Sequence, residues 1–107
     1  LVIVNRTVSK AEHLAEMFSS YGNVETAGYS DLQQDAFDVV INATSASLRA
    51  ELPDLCAEAF RPGCLAYELS YAKGLTPFLG LARSANGYTT LWLTSVFIAF
   101  SKSLADF

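Results

Sequence analysis

With a single histidine in 107 residues, the chain has little room for chemistry built on imidazole. That residue, His13, lies between polar neighbours on an apparent helix and is expected to be solvated. No Gly-x-Ser-x-Gly elbow accompanies it, so a hydrolytic triad has no support. The two cysteines, Cys56 and Cys64, stand apart from each other and far from His13. Zinc sites bring close-spaced pairs of Cys and His, so both thiols are expected to be small buried apolar groups. Unpaired thiols fit a reducing cytoplasm. No Gly-x-x-x-x-Gly-Lys stretch is present, which excludes the usual phosphate loop for nucleoside triphosphates.

Charge is also scarce. Only 17% of the residues are charged, the net charge is −4, and the seven basic residues are scattered. A nucleic-acid face needs clustered Lys and Arg, so no nucleic-acid partner is expected, although one phosphate needs only two or three cations. The most apolar stretch, Leu91 to Phe100, falls well short of the roughly 20 residues that span a bilayer, so no membrane partner is expected either. No charged stretch followed by an apolar run opens the chain, which argues against a secretory signal. The first residue is not Met and already reads as strand, so a preceding segment is expected.

Apolar residues make up 51% of the chain, an excess that suggests apolar surface facing another domain or subunit. Leu1-Val2-Ile3-Val4 is a continuous apolar run of the kind found in strands buried on both faces of a parallel sheet. From Val8 to Tyr21 the period becomes helical, with Ala11, Leu14, Ala15 and Phe18 on one stripe and Gly22 as a stop. Asn23 to Ala27 reads as a second strand and Tyr29 to Gln34 as a turn or short helix. Phe37 to Thr44 is another buried strand, Leu55 to Phe60 a short helix closed by Arg61-Pro62-Gly63, and Cys64 to Tyr71 a further strand. Pro77 opens a helix that runs to about Ser84. Asn86-Gly87 marks a turn, and a last helix is expected from Tyr88 to about Ala105. Strands alternating with helices at this spacing imply an α/β, Rossmann-like parallel sheet with flanking helices. It forms one domain over residues 1–107, truncated at its N-terminal side.

Three places could carry chemistry. The first strand ends in Asn5-Arg6-Thr7. In a dinucleotide-binding unit an acidic residue at such a strand end bonds the 2′-hydroxyl of NAD, whereas Arg accepts the 2′-phosphate of NADP. Arg6 offers a planar fork of donors, and no carboxylate stands beside it to repel a phosphate. Ser9 and Glu12 have capping-box spacing, which places the helix start near Ser9. Lys10 in the first turn is mildly unfavourable against the helix dipole unless an anion is bound. Spacing alone leaves a solvated strand-to-helix turn equally open. The second place is Asn42-Ala43-Thr44-Ser45, at the carboxyl end of a strand, where open parallel sheets hold ligands. A plain polar turn is the alternative. The third is Tyr67-Glu68-Leu69-Ser70-Tyr71 followed by Thr76-Pro77-Phe78-Leu79, with two tyrosines four apart that face either a cleft or ordinary rim and core.

In order, these motifs resemble the C-terminal cofactor domain of the shikimate dehydrogenase family. Asn5-Arg6-Thr7 with Lys10 matches that family's Asn-Arg-Thr-x-x-Arg/Lys clamp. Ile41-Asn42-Ala43-Thr44-Ser45 matches its Ile-Asn-Ala-Thr-Ser strand end. Tyr67 to Tyr71 with Thr76 to Leu79 resembles its Tyr-Asp-x-x-Tyr…Thr-Pro-Phe-Leu segment. The resemblance implies an NADP-linked oxidoreductase acting on a CH-OH group. Its reaction is the reversible reduction of 3-dehydroshikimate to shikimate, in aromatic amino-acid biosynthesis. It further implies that Asn5, Arg6, Thr7 and Lys10 hold the adenosine 2′-phosphate, and that Thr44 and Ser45 lie along the cofactor. Leu69 and Gly87 would approach the nicotinamide, with Tyr71 near the substrate.

The family's glycine-rich pyrophosphate loop would precede Leu1. Its catalytic Lys and Asp belong to an N-terminal substrate domain, so no catalytic residue is expected within these residues, and the chain alone is expected to be inactive. Thr89 and Thr90 stand where the family has Gly and Met, and Thr94 where it has a substrate-binding Gln. The correspondence is therefore poor after about residue 88. Two other readings stay open. One is the cofactor domain of another NADP reductase such as glutamyl-tRNA reductase, against which Thr76-Pro77-Phe78-Leu79 speaks. The other is a non-catalytic remnant that binds nucleotide weakly or forms a homodimer through the apolar C-terminal helix.

Overall fold

The computed structural model describes residues 1–32, 36–69, 74–85 and 88–90. The chain divides into two compact units, Leu1–Asp35 and Ala36–Phe107.

The first unit is a strand-helix-strand arrangement. Strand β1 (Val2–Val4) leads through Asn5 to Thr7 into helix α1 (Val8–Phe18), and strand β2 (Glu25–Ala27) returns parallel to β1. Val2 lies opposite Glu25, Ile3 opposite Thr26 and Val4 opposite Ala27. A parallel return needs a crossover, and α1 supplies it. Its apolar stripe is narrower than the sequence suggests: Ala11 is fully buried and Leu14 and Ala15 are half-buried, whereas Phe18 is 46% exposed. Phe18 lies at the last turn, where the helix passes into a 3-10 turn (Ser19–Tyr21), and its ring pairs with Tyr21 instead. His13 is exposed, as expected.

Past β2, the Gly28 N–H donates to Asp31 Oδ2 (2.9 Å), and the Asp31 N–H donates back to the Gly28 carbonyl (3.2 Å). This reciprocal pair starts the 3-10 turn Tyr29–Leu32 in the manner of a capping box. A Cβ on Gly28 would come within 3.2 Å of that carboxylate and 3.7 Å of Val8 Cγ2, so glycine lets the end of β2 approach the start of α1.

The second unit holds a three-stranded parallel sheet, β3 (Phe37–Asn42), β4 (Phe60–Glu68) and β5 (Tyr88–Thr90), in the order β3-β4-β5. Four expectations are corrected here. Residues 88–90 are strand where a helix was expected to begin: Tyr and Thr suit a pleated strand, and β4 offers an edge for them to pair with. The rest of that expected helix, and with it the homodimer contact, lies outside the described residues.

Strand β4 begins at Phe60, four residues earlier than the Arg61-Pro62-Gly63 signal implies. The strand absorbs these residues because the register shifts between Phe37 and Val39 and Gly63 takes a left-handed φ of 81°, which glycine adopts without strain. The expected short helix before it is only a 3-10 turn, Ala57–Ala59.

Nor is β3 buried on both faces. Val40, Asn42, Cys64, Ala66 and Glu68 face inward, while Val39 and Ile41 are more than half exposed. Helix α2 (Pro77–Ser84) covers the inward face. Pro77 occupies its first turn, where the missing N–H costs nothing. Phe78, Leu79 and Ala82 pack against Phe60, Cys64 and Ala66, with Val40, Leu55, Leu81 and Ala85 at the margin. No helix among the described residues is long and apolar enough to cross a membrane.

Cys64 lies in this core, as its type suggests, whereas Cys56 is half-buried. Burial pushes the Cys64 thiol up, the charge of Asp38 adds to this, and backbone hydrogen bonds from Val40 and Arg61 oppose it. The unfolded chain therefore ionises this thiol at lower pH than the folded chain does. Its contribution to stability is complete below the ordinary thiol pKa and is lost as the pH rises above it. Urea midpoints measured from neutral to alkaline pH should fall less steeply in Cys64→Ala than in the wild type; parallel slopes would refute the assignment.

Candidate functional site

The carboxyl end of β1 and the start of α1 form one cluster. Asn5 is half-buried, and its Oδ1 accepts the Thr7 N–H at 2.8 Å, an Asx turn that reverses the chain between strand and helix. Thr7 is the N-cap, with extended φ −102° and ψ 98°, so the helix starts earlier than the Ser9–Glu12 spacing predicts. The reason is local: the Asx turn already sets Thr7 in the extended conformation an N-cap requires. The Lys10 N–H donates to the Thr7 carbonyl at 3.0 Å. Thr7 makes no side-chain cap bond, and no acidic residue lies in the first turn of α1. Arg6, Thr7, Ser9 and Lys10 are all exposed. Among the described residues neither Arg6 nor Lys10 forms an ion pair.

Two cations thus flank the positive end of an eleven-residue helix whose N-cap residue makes no side-chain cap bond. Helix N-termini of this kind favour anions, and a guanidinium suits the planar, paired recognition of phosphate. These residues fit a phosphate monoester.

A second cluster sits at the carboxyl ends of β3 and β4. Asn42 and Glu68 are opposite each other at the last register position, and both are buried. Asn42 Nδ2 donates to Glu68 Oε2 at 3.2 Å, while Asn42 Oδ1 accepts from the Thr44 N–H at 3.1 Å and the Thr44 hydroxyl at 2.8 Å. Thr44 Oγ1 in turn accepts the Ala46 N–H at 3.2 Å. The Leu69 N–H donates to the Asn42 carbonyl at 3.0 Å, extending the parallel ladder one step beyond β4.

Ser45 is exposed. Its carbonyl accepts the Leu48 N–H at 3.1 Å and its hydroxyl oxygen accepts from Arg49 Nη1 at 3.4 Å, while Arg49 also pairs with Glu51 at 3.0 Å. Ala50 between them has φ 52°, a left-handed conformation that a non-glycine residue adopts at some cost. The turn after β3 is therefore closed by its own hydrogen bonds, with Ser45 on its outer side.

Thr76 connects this cluster to α2. Its hydroxyl donates to Glu68 Oε2 at 3.1 Å and accepts the Leu79 N–H at 3.2 Å as the helix N-cap. Thr76→Val should cost about 1–2 kcal/mol through loss of the cap and of one buried hydrogen bond, while Thr76→Ser should cost far less. Equal urea midpoints for Val and Ser variants would show that the hydroxyl does not act this way.

The sequence-predicted residues Asn5, Arg6, Thr7 and Lys10 are thus gathered at one helix start, and Thr44, Ser45 and Leu69 at one pair of strand ends. Tyr71 and Gly87 lie outside the described residues. Asn42, Glu68 and Thr76 were visible only as letters of motifs. Their role could have been read from the period of two: Asn42 follows Val40, and Glu68 follows Cys64 and Ala66, on positions reserved for core side chains.

No family model matches the chain. Individual proteins do. Shikimate dehydrogenase (NADP(+)) of Chromobacterium violaceum is 54% identical over 86 residues, which are 80% of this chain and 32% of that protein. The protein of the same name from Nitrosospira multiformis is 52% identical over 81% of this chain and 34% of its own length. That from Nitrosomonas europaea is 51% identical over 78% and 30%. Among solved structures, an Ael1 enzyme from Pseudomonas putida superposes with a TM-score of 0.72 at 47% identity, covering 84% of this chain and 32% of that one. The chain therefore spans about a third of the length of the relatives it matches, and with identity of this level it belongs to the shikimate dehydrogenase family.

Proposed function

We propose that this chain forms the adenosine-phosphate end of an NADP site in a protein that reversibly reduces 3-dehydroshikimate to shikimate. The observation that carries the reading is the uncapped start of α1 flanked by Arg6 and Lys10, directly after β1. Arg6 and Lys10 neutralise the 2′-phosphate, and the first-turn N–H groups and the Thr7 hydroxyl complete its shell. Asn5 acts one step back, holding Thr7 in the N-cap conformation. Thr44, Ser45 and Leu69 lie along the cofactor toward the nicotinamide, with Gly87 and Tyr71 as the remaining contacts to cofactor and substrate. NADP, when bound, supplies the hydride chemistry; the protein's part is orientation and electrostatics. The relatives named NADP(+) enzymes support this cofactor. A cytoplasmic location and a small-molecule partner follow from the same reading.

The test is calorimetric titration of the chain with adenosine 2′,5′-bisphosphate and with adenosine 5′-monophosphate. A clear preference for the 2′-phosphate is expected. Equal affinities, or no binding of either, would overturn the clamp and favour a remnant without nucleotide function.

A further inference from the structure

Glu68 is 8% exposed, yet it carries a carboxylate at the end of the strand face that bears Cys64 and Ala66. Burying such a group is unfavourable unless donors compensate it. Among the described residues, Asn42 Nδ2 and the Thr76 hydroxyl do so at a single oxygen, both on Oε2. Thr76 also stands at the N-terminus of α2, whose dipole favours negative charge. An apolar side chain would fill the same space without needing these partners. The polar group therefore calls for a reason beyond packing.

The reason lies in the direction of the hydrogen bonds. The Asn42 side chain ends in an acceptor and a donor of nearly the same size, and it can present either to Thr44. The Thr44 N–H and hydroxyl both need an acceptor there. A carboxylate offers acceptors only, so Glu68 draws Asn42 Nδ2 toward itself and leaves Oδ1 facing Thr44. Thr44 Oγ1 then holds the Ala46 N–H, and the turn that carries Ser45 is set. The chain of bonds from Glu68 to Ala46 is continuous.

We propose that Glu68 is a positioning residue, which through the orientation of Asn42 sets the Thr44 to Ala46 turn for the cofactor. The cofactor half of this statement rests on the function proposed above; the orientation half does not. In this role Glu68 acts through Asn42 and not on a ligand.

A reversal of the bond tests it. In Asn42→Asp the acceptor for Thr44 survives, but an oxygen replaces the donor facing Glu68. Adding Glu68→Gln supplies a donor from the other side, so the pair is restored with its polarity inverted; the second amide hydrogen then faces Thr76 Oγ1, which must accept where it donated before. Amide hydrogen exchange at Thr44 and Ala46 and titration with NADP are to be measured on the full chain. Asn42→Asp should speed exchange at both amides and weaken NADP binding, each by at least about tenfold, because one buried hydrogen bond is lost and a second carboxylate then faces Glu68. Asn42→Asp with Glu68→Gln should recover both to within about threefold, the usual limit of a repaired pair. The Lys10 amide, bonded to Thr7 within the first unit, is the internal reference for exchange.

If the double variant is no better than Asn42→Asp, or if exchange at Thr44 and Ala46 never changes, the proposal fails. If Asn42→Asp does not fold, refolding by the added Glu68→Gln supports it and continued unfolding counts against it. If exchange follows the expected pattern while NADP binds all variants equally, the turn is not set for the cofactor and the proposal is overturned. If the wild type binds no NADP, the proposed function fails, and the exchange pattern alone then upholds or rejects the orientation of Asn42 by Glu68.

Discussion

Replacing Arg6 with Asp should weaken NADP binding by about ten- to a hundredfold, the loss expected when charge-assisted hydrogen bonds to a phosphate give way to a carboxylate. NAD binding should change little, because NAD carries a hydroxyl where NADP carries the 2′-phosphate. The geometry gives three reasons for a large effect. Arg6 is exposed and makes no ion pair among the described residues, so its guanidinium is available to a ligand. It adjoins the start of α1, where the helix dipole adds to its field. The first turn contains no acidic residue, so the substitution would place a like charge at a helix start that has none in its first turn. Arg6→Lys should fall between wild type and Arg6→Asp, since an ammonium keeps the charge but not the fork. Titration with the two cofactors measures the outcome. Losses of the same size for NADP and NAD would remove Arg6 from the 2′-phosphate site.

The largest effect on stability should come from Phe78→Ala. Phe78 is 1% exposed and lies at the centre of the α2–sheet contact, its ring 5.7 Å from that of Phe60 at a tilt of 54°. Truncating a buried Phe costs about 3–5 kcal/mol, through lost transfer free energy and the cavity left behind. Domains of this size are stable by only about 5–15 kcal/mol, so a large share of the margin would disappear. The core offers little to collapse into the space, because its other fully enclosed members are mainly Ala and Cys. With a urea slope of about 1–3 kcal/mol per molar, the midpoint should fall by more than about 1 M. Phe18→Ala provides the contrast. Phe18 is nearly half exposed on α1, and its truncation should cost no more than about 1 kcal/mol. Similar midpoints for the two variants would contradict the packing described here.

These two residues also mark the boundary between sequence and structure. The periodic pattern placed Phe18 on an apolar helix stripe, the proline signal placed Phe78 only in the first turn of a helix, and neither could say which ring would find a partner. Phe78 meets the inward face of β3 and β4, whereas Phe18 sits where α1 tightens into a 3-10 turn and has only Tyr21 beside it. The same limit governs β3. Its run of Val39, Val40 and Ile41 reads as buried on both faces, but α2 covers only the Val40 side.

By itself the sequence determined what depends on neighbouring residues. The Asn5-Arg6-Thr7 turn, the proline-opened helix from Pro77 to Ser84 and the alternation of strand and helix all rest on local dihedral preferences and short-range hydrogen bonds. Tertiary structure decided what depends on partners distant in the chain. Tyr88–Thr90 become a strand because β4 presents an edge to them. Glu68 enters the core because Asn42, 26 residues earlier, and Thr76, eight residues later, bring donors to one of its oxygens. A buried carboxylate is stable only in company, and no local pattern records which residues will provide it.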